Sequence, residues 1–199
     1  MKVKASLLVG CILKILDESE EILDDHVKFG TGSLDVRTLV REVLPCAATE
    51  VAKSADIDEI DDFIEFRPQP SWSGGTAKVP LPTDCLRLLF IRMSYHDFPC
   101  TDITGISSPA IRLRRMWLQR ASARFDGPGT PAIAIGFADG SRNAEVFGST
   151  PGSTVAAAGY LRIPEIDSND EIEISRSLIG PTVDLAASRI RKILDYDNH

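Results

Sequence analysis

The sequence predicts an α+β protein in which helices from the two chain ends form a helical bundle and a small antiparallel β unit is inserted between them. Apolar residues recur at helical spacing near both ends, and short apolar runs bounded by proline and glycine fill the part between about 63 and 163. Helices and strands grouped in this way are typical of α+β proteins. Because no repeat or flexible linker is evident, we expect a single domain over residues 1–199, with residues 63–163 as a strand-rich region within it.

Two amphipathic helices are expected in the first part of the chain. Apolar side chains at helical spacing predict the first helix over about residues 5–24. The second begins at Ser33, whose hydroxyl suits an N-cap, and continues to Val51. Pro45 lies inside this second helix. Because a proline ring clashes with the carbonyl four residues earlier, we expect a kink or a break near residues 41–44.

The central part of the chain is expected to contain short strands separated by turns. Strands are predicted at residues 63–67, 78–82, 84–94, 132–137, 144–147 and 155–163. Residues 68–75 are rich in proline and glycine and are predicted to form a loop. Asp139 and Gly140 favour a hairpin turn between two strands, because both residue types tolerate positive φ.

Three further helices are predicted in the second half of the chain. Residues 107–124 begin with a serine cap and a proline at the first helical position, where the missing N–H does no harm. Residues 170–178 and 183–194 are predicted as the closing helices, with an interruption at Gly180 and Pro181. The closing helices are expected to pack against the helices at the N-terminus.

Composition argues against several classes of function. The formal net charge is −7, whereas a protein that coats nucleic acid requires an excess of lysine and arginine on at least one face. No C-x-x-C pair of the kind that zinc and redox sites use occurs, and we interpret all four cysteines as buried thiols in a reducing compartment: Cys11, Cys46, Cys85 and Cys100. No apolar stretch is long enough to span a bilayer, so no membrane partner is expected.

His96 is the main candidate for catalysis. It stands next to Asp97 and could act as an oriented base, and a site that also includes Asp84 would require the three side chains to converge in a cleft. A partly buried histidine with satisfied hydrogen bonds is the structural interpretation. The chain contains no G-x-S-x-G, no G-x-x-x-x-G-K and no H-E-x-x-H motif. We expect no enzyme activity and no cofactor, and keep a site near His96 as an alternative.

An acidic group follows the second predicted helix and carries Asp56, Asp58, Asp61 and Asp62. Carboxylates at alternate positions suit calcium, but Asp61 stands where an EF-hand loop requires glycine, and we predict no metal site. A solvated acidic loop and a surface that meets a basic partner are two further interpretations. We include these four residues among the candidates for a subunit interface.

The most distinctive charge feature is a segment with five arginines and no lysine in 13 residues. Its interface candidates are Arg112, Arg114, Arg115, Trp117, Arg120 and Arg124. Arginine pairs with carboxylates or phosphates through two hydrogen bonds and stacks on aromatic rings, and it is common at interfaces. Three interpretations remain: a contact with an acidic segment of another copy of the chain, a solvated face, and a contact with nucleic acid.

Three further features taken together resemble a known family. They are the paired N-terminal helices, the segment VPLPTDCLRL at residues 79–88, and the segment YLRIP at residues 160–164 before a closing helix rich in alanine. This order is similar to the head-to-tail connector proteins of tailed phages, the adaptor or ring class of short-tailed phages. The resemblance loosely covers most of the chain.

The resemblance implies a virion structural protein that is assembled in the host cytoplasm. Its copies would form a closed ring, usually of twelve, that binds the portal and other tail or ring proteins. Genomic DNA would pass through the ring without sequence-specific binding, and an acidic channel wall would let it slide. Assembly would depend on head-to-tail contacts that close by rotation. A cytosolic protein-binding module without a virion role is the alternative.

Overall fold

The computed structural model describes residues 1–18, 26–29, 32–73, 76–105, 111, 132–138, 140–148 and 151–196. The chain divides into two compact units. The terminal unit consists of Met1–Phe63 and Arg162–His199, and the central unit is the continuous stretch Ile64–Leu161. The terminal unit is therefore built from both ends of the sequence, and the central unit from one uninterrupted segment.

Three helices form the centre of the terminal unit: α1 (Ala5–Glu18), α2 (Val36–Ser54) and α3 (Ile179–Tyr196), each in contact with the other two. They bury apolar side chains at helical spacing, among them Leu8, Ile12 and Leu16 of α1, Val40 and Leu44 of α2, and Ala186, Ala187 and Ile190 of α3. Helices are confirmed at the approximate positions predicted from residue 5, from residue 33 and over 183–194. The interruption predicted at Gly180 and Pro181 is wrong, because α3 contains both residues. None of the helices in the described ranges is long and apolar enough to cross a bilayer.

The start and the course of α2 differ from the prediction. Asp35, not Ser33, is the N-cap, and its carboxylate accepts hydrogen bonds from the Arg37 N–H (3.1 Å) and the Thr38 hydroxyl (3.2 Å). The predicted break at Pro45 is wrong, because α2 is continuous through the proline. The residue four positions earlier, Arg41, lies on the exposed side of the helix, where water can solvate a carbonyl that has lost its N–H partner.

A two-stranded antiparallel sheet joins the chain ends of the terminal unit. Strand β1 (Lys2–Lys4) pairs with a strand near the C-terminus, β12 (Glu171–Glu173). The helix predicted over residues 170–178 is therefore wrong, and a 3-10 turn at Arg176–Leu178 follows the strand. Apolar and charged side chains alternate along β12: Ile172 is buried, and the glutamates on either side of it lie opposite lysines of β1. Period-two burial favours a strand.

Asp170 connects three elements of the terminal unit. Its carboxylate accepts a hydrogen bond from the Ser6 N–H (3.1 Å) at the start of α1 and pairs with Arg41 of α2, and its carbonyl accepts from the Ala5 N–H (2.8 Å). The backbone of Asp170 has φ of 61°, in the left-handed region that aspartate tolerates. The Ser6 hydrogen bonds and the Arg41 guanidinium lower the pKa of Asp170. In the same loop, N–H donors from Glu171 and Asn169 lower the pKa of Asp167.

A hairpin and the strands of the central unit complete the fold. The hairpin is β2 (His26–Phe29) with β3 (Gly32–Asp35). The central strands are β4 (Ile64–Phe66), β5 (Ser71–Ser73), β6 (Thr76–Pro80), β7 (Cys85–Met93), β8 (Ile103–Gly105), β9 (Ala132–Ala138), β10 (Ser141–Phe147) and β11 (Val155–Arg162). One sheet has the order β5-β6-β10-β9-β8 and another the order β4-β11-β7. The β8–β9 pair is parallel, whereas the pairs β5–β6, β6–β10, β9–β10 and β4–β11 are antiparallel.

The two central sheets share one apolar core. It contains Val79 of β6, Leu88, Ile91 and Met93 of β7, Ile133 of β9, Val146 of β10 and Tyr160 of β11. Phe66 packs edge-on against Tyr160, with ring centroids 5.3 Å apart and an interplanar angle of 81°. Ile111, at a position predicted to be helical, is buried with Ala134 and Phe147. The rest of the predicted helix 107–124 lies outside the described residues.

The predicted fold class, a helical bundle with a small antiparallel β insertion, is wrong. The protein is a mixed α/β structure with a β-rich core. Twelve strands and three helices occur in the described ranges, and strands contribute to both units. The prediction missed six strands of three or four residues each: β1, β2, β3, β5, β8 and β12. Such strands are defined by their hydrogen-bonded partners, which for β1 lie about 170 residues away, so local sequence patterns do not reveal them.

Candidate functional site

The arginine-rich interface candidates lie outside the described residues. This holds for the whole predicted set of Arg112, Arg114, Arg115, Trp117, Arg120 and Arg124. Their role as an interface stays a prediction from the sequence, based on guanidinium chemistry and not on position in the fold.

The four acidic interface candidates lie at the end of the N-terminal segment of the terminal unit, Met1–Phe63. Two of them bind other groups of the same unit. Asp61 accepts hydrogen bonds from the hydroxyls of Ser175 (2.6 Å) and Ser177 (3.3 Å) and lies near the Ser177 N–H (3.4 Å). The Ser175 hydrogen bond is the main reason that the pKa of Asp61 is lowered. The carboxylate faces the N–H groups just before α3, where negative charge is stabilising.

Asp62 forms an ion pair with the amino group of Met1. Asp58 lies in a 3-10 turn at Ile57–Glu59 and Asp56 just before it, and both are exposed. Two of the four acidic candidates therefore hold the terminal unit together, and two face solvent. In the described ranges no group of three or more histidine, cysteine, aspartate or glutamate side chains is placed to hold a metal ion.

His96 is buried, but its surroundings differ from those of an oriented base. Its Nε2 lies 3.2 Å from the Gly148 carbonyl, and a carbonyl only accepts, so Nε2 carries the proton and donates. Nδ1 is then a bare acceptor, and it is buried without a hydrogen-bond partner. Asp97 is exposed and bonds to neither nitrogen. The expectation of a fully satisfied histidine is therefore wrong for one of the two ring nitrogens.

Asp84 does not converge with His96. It lies just before β7, where its carboxylate accepts a hydrogen bond from the Tyr160 hydroxyl (3.1 Å), whereas His96 follows the other end of the strand. Nine residues of strand at a rise of about 3.3 Å each separate the two strand ends by about 26 Å. The cleft required by the enzyme alternative at His96, Asp97 and Asp84 is not formed by these side chains.

Cys85 is the first residue of β7, and Arg142 of β10 binds the backbone there. The Arg142 guanidinium donates to the carbonyls of Cys85 (2.6 Å) and Leu86 (3.2 Å). Burial raises the pKa of the Cys85 thiol to about 11, although the nearby Arg142 charge favours the thiolate. This thiol is inert at neutral pH, because the thiolate is the reactive form. Arg142 therefore provides charged donors to two backbone carbonyls at the start of β7.

Two of the three most exposed aromatic side chains in the described ranges lie in a loop at the other end of β7, residues 94–99, which we name the aromatic loop. Tyr95 is 64% exposed and Phe98 is 79% exposed. The loop is held by several hydrogen bonds: the Ser94 N–H donates to the Thr154 carbonyl (2.8 Å), and the His96 N–H donates to the Met93 carbonyl (2.9 Å). The buried His96 ring adds the bond to Gly148. A fixed backbone therefore presents two aromatic rings to solvent.

A second exposed apolar surface is the outer face of α1. Leu7 is 65% exposed, and Gly10 and Cys11 beside it on the helix are also exposed, with Lys14 as the next residue along that face. A Cβ placed on Gly10 would meet nothing within 4 Å, so packing inside the unit does not require glycine there. We name this surface the α1 outer face.

The cysteines are divided between buried and exposed positions. Cys85 and Cys100 are buried, as predicted, but Cys11 on the α1 outer face and Cys46 on α2 are exposed. The expectation of four buried thiols is therefore wrong for two of them. Cys11 and Cys46 each follow a buried residue, Val9 and Leu44, by two positions, and residues two apart on a helix point to opposite sides.

Sequence reasoning missed both exposed apolar surfaces. Neither Tyr95 and Phe98 nor Leu7 was predicted to form a binding surface. The available signal for the loop was its polar and proline content between aromatic residues, S-Y-H-D-F-P. No protein-family model matches the chain, and a search of curated proteins finds no significant match. The function is therefore argued from these surfaces.

Proposed function

We propose that the chain is a virion structural protein whose copies form a closed ring that connects portal and tail and surrounds the DNA channel. The observation that carries the proposal is that both units leave large apolar side chains in solvent. Leu7 is exposed in the terminal unit, and Tyr95 and Phe98 are exposed in the central unit. Apolar side chains exposed close together, as Tyr95 and Phe98 are along the chain, are typical of surfaces that bind other protein chains.

The α1 outer face supports binding to another protein chain. A surface helix normally presents polar and charged residues to water. In α1 the outward positions Leu7, Gly10 and Cys11 are apolar or small, and Lys14 is the charged residue among them. Burying a leucine side chain contributes about 1.5–3 kcal/mol. Burying Leu7 against another chain would therefore be favourable, and the isolated unit does not gain this free energy.

The specific role as a connector ring rests on the resemblance of the sequence to phage adaptor proteins. It supplies the expected partners: other copies of the chain in a dodecamer, the portal, and other tail or ring proteins. The net charge of −7 supports a channel through which DNA passes without binding, because phosphates are repelled by an acidic wall. The expected location is the virion, after assembly in the host cytoplasm.

The same exposed surfaces also fit a cytosolic module that binds one different protein and has no virion role. The two proposals differ in what the purified chain does alone. A ring subunit associates with itself, whereas a binding module stays monomeric at micromolar concentration until its partner is added. Oligomeric state is therefore the property that separates them.

The test compares two variants by sedimentation velocity. Leu7→Glu introduces a charge at the α1 outer face, and Ser188→Glu introduces the same charge at an exposed position of α3. We expect Leu7→Glu to weaken self-association by tenfold or more and Ser188→Glu to leave it unchanged, with both variants folded by circular dichroism. Equal assembly of the two variants would exclude the α1 outer face as a subunit contact.

A further inference from the structure

The aromatic loop has the composition and rigidity of a protein-binding epitope. Tyrosine and phenylalanine are enriched at the centres of protein interfaces, where they fill pockets. Most exposed loops lose conformational freedom when they bind, and this loss reduces affinity. In this loop the backbone is held at one end by the Ser94 pairing with Thr154 and just after the other end by the Ile91–Cys100 bridge, and the His96 ring is bonded to Gly148. Binding through Tyr95 and Phe98 would therefore cost little ordering.

The charge of the loop specifies the kind of partner. Asp97 lies between the two exposed aromatic residues, and Asp102 is exposed shortly after them. The stretch 93–105 contains no lysine or arginine. A surface that combines carboxylates with aromatic ring faces is complementary to guanidinium groups, which pair with carboxylates and stack on rings.

The chain itself carries a matching partner in its sequence. Residues 112–124 contain five arginines, one tryptophan and no acidic residue. The acidic residues first expected to meet this segment are partly engaged elsewhere, because Asp61 and Asp62 bind groups within the terminal unit. The aromatic loop offers carboxylates and ring faces together, and the acidic group of residues 56–62 has no aromatic residue.

We propose that the aromatic loop of one copy binds the arginine-rich segment of a second copy, with Phe98 and Tyr95 as apolar anchors and Asp97 as the carboxylate partner. The inference rests on the proposed self-association and names the surface that mediates it. The contact joins two different surfaces, so each copy uses its loop toward one neighbour and its arginine-rich segment toward the other. Contacts of this kind close into rings when the rotation between copies permits.

The first experiment uses two aromatic residues with the same exposure. Phe98 in the loop and Phe137 in β9 are both 79% exposed, so Phe98→Ala and Phe137→Ala remove equal side chains from equally open positions. We expect the full-length Phe98→Ala chain to self-associate at least tenfold more weakly than the unsubstituted chain, and the Phe137→Ala chain to match it. Equal behaviour of the two variants, while the unsubstituted chain assembles, would overturn this inference and leave the proposed function standing. A monomeric unsubstituted chain would overturn both.

The second experiment is a charge exchange between copies. One chain carries Asp97→Arg, and the other carries Arg112→Glu with Arg115→Glu. Each is expected to be monomeric alone, and an equimolar mixture is expected to regain assembly, because every loop then meets a segment of opposite charge. Glu165→Arg, at an exposed position of the terminal unit, is the control and should assemble alone. Failure of the mixture to assemble, or assembly of the Asp97→Arg chain alone, would contradict the proposed contact.

Discussion

The two units of the protein are stabilised in different ways. The terminal unit joins distant parts of the sequence through hydrogen bonds and ion pairs of exposed carboxylates: Asp61 binds Ser175, and Asp170 binds Ser6 and Arg41. The central unit is one continuous segment with an apolar core between its sheets. The comparison indicates that apolar periodicity is informative about the elements of both units, whereas charged and polar side chains make contacts that join distant parts of the sequence in the terminal unit.

The largest expected effects come from the core residues of each unit. Ile12 of α1 and Ile91 of β7 are both fully buried. We expect Ile12→Ala and Ile91→Ala each to lower the free energy of unfolding by about 2–5 kcal/mol, because each leaves a cavity. Denaturant titration of the full-length chain measures both. A loss below about 1 kcal/mol at either position would show that the corresponding core is not packed as described.

The dependence of stability on pH should differ in sign between the units. In the fold the pKa is lowered from 3.8 for three aspartates: Asp61, Asp167 and Asp170. The unfolded chain therefore binds their protons more tightly, and their contribution to stability is lost as the pH falls below about 4. Cys85 has a pKa raised from 9.0 to about 11, so its contribution is present below pH 9 and is lost between pH 9 and 11, by about 2–3 kcal/mol.

Thermal unfolding across pH tests this contrast, with Cys85→Ala as the control for the alkaline side. The variant should lose stability less steeply between pH 9 and 11 than the unsubstituted chain, whatever its stability at neutral pH. An unchanged alkaline slope in Cys85→Ala would contradict the assignment of that slope to the buried thiol.

A smaller effect is expected from Arg142, the main polar contact to the edge of β7. Arg142→Met keeps much of the side-chain volume but removes the donors to the Cys85 and Leu86 carbonyls. We expect a loss of about 1–3 kcal/mol, the usual cost of leaving buried acceptors without a donor. Arg67, an exposed arginine of the same unit, provides the matched control as Arg67→Met. A similar change in both variants would contradict the role of Arg142.

The smallest effect is expected at Asp170. Asp170→Asn removes the ion pair with Arg41 but keeps a side-chain oxygen for the start of α1, and asparagine tolerates the left-handed backbone. The midpoint of thermal unfolding should fall less than in either core variant, and the acid sensitivity of the terminal unit should decrease. An unchanged acid limb would show that Asp170 does not contribute to it.

Much of the local structure could be predicted from the sequence. Helical periodicity located α1 and α3, and alternation with turn residues located the β9–β10 hairpin, where Gly140 has φ of 73°. The helix predicted at residues 170–178 was wrong because pairing with β1 decides the structure there. The break predicted at Pro45 was wrong because α2 places that part of its backbone on the exposed side.

The candidate surfaces were harder to predict than the elements. Charge alone selected Asp61 and Asp62 as interface residues, and the structure places both in contacts within the terminal unit. Exposure depends on the packing of whole elements. For this reason the sequence did not distinguish Leu7, which faces solvent, from Leu8, which is buried beside it.

The measurement that tests the central claim most directly is the mass and shape of the purified, unsubstituted chain. Native mass spectrometry and negative-stain electron microscopy at micromolar concentration should find one discrete closed ring, with twelve copies as the expected number. A chain that does not associate with other copies of itself at any concentration, either alone or in its natural setting, would contradict the proposal that identical copies bind one another through these surfaces.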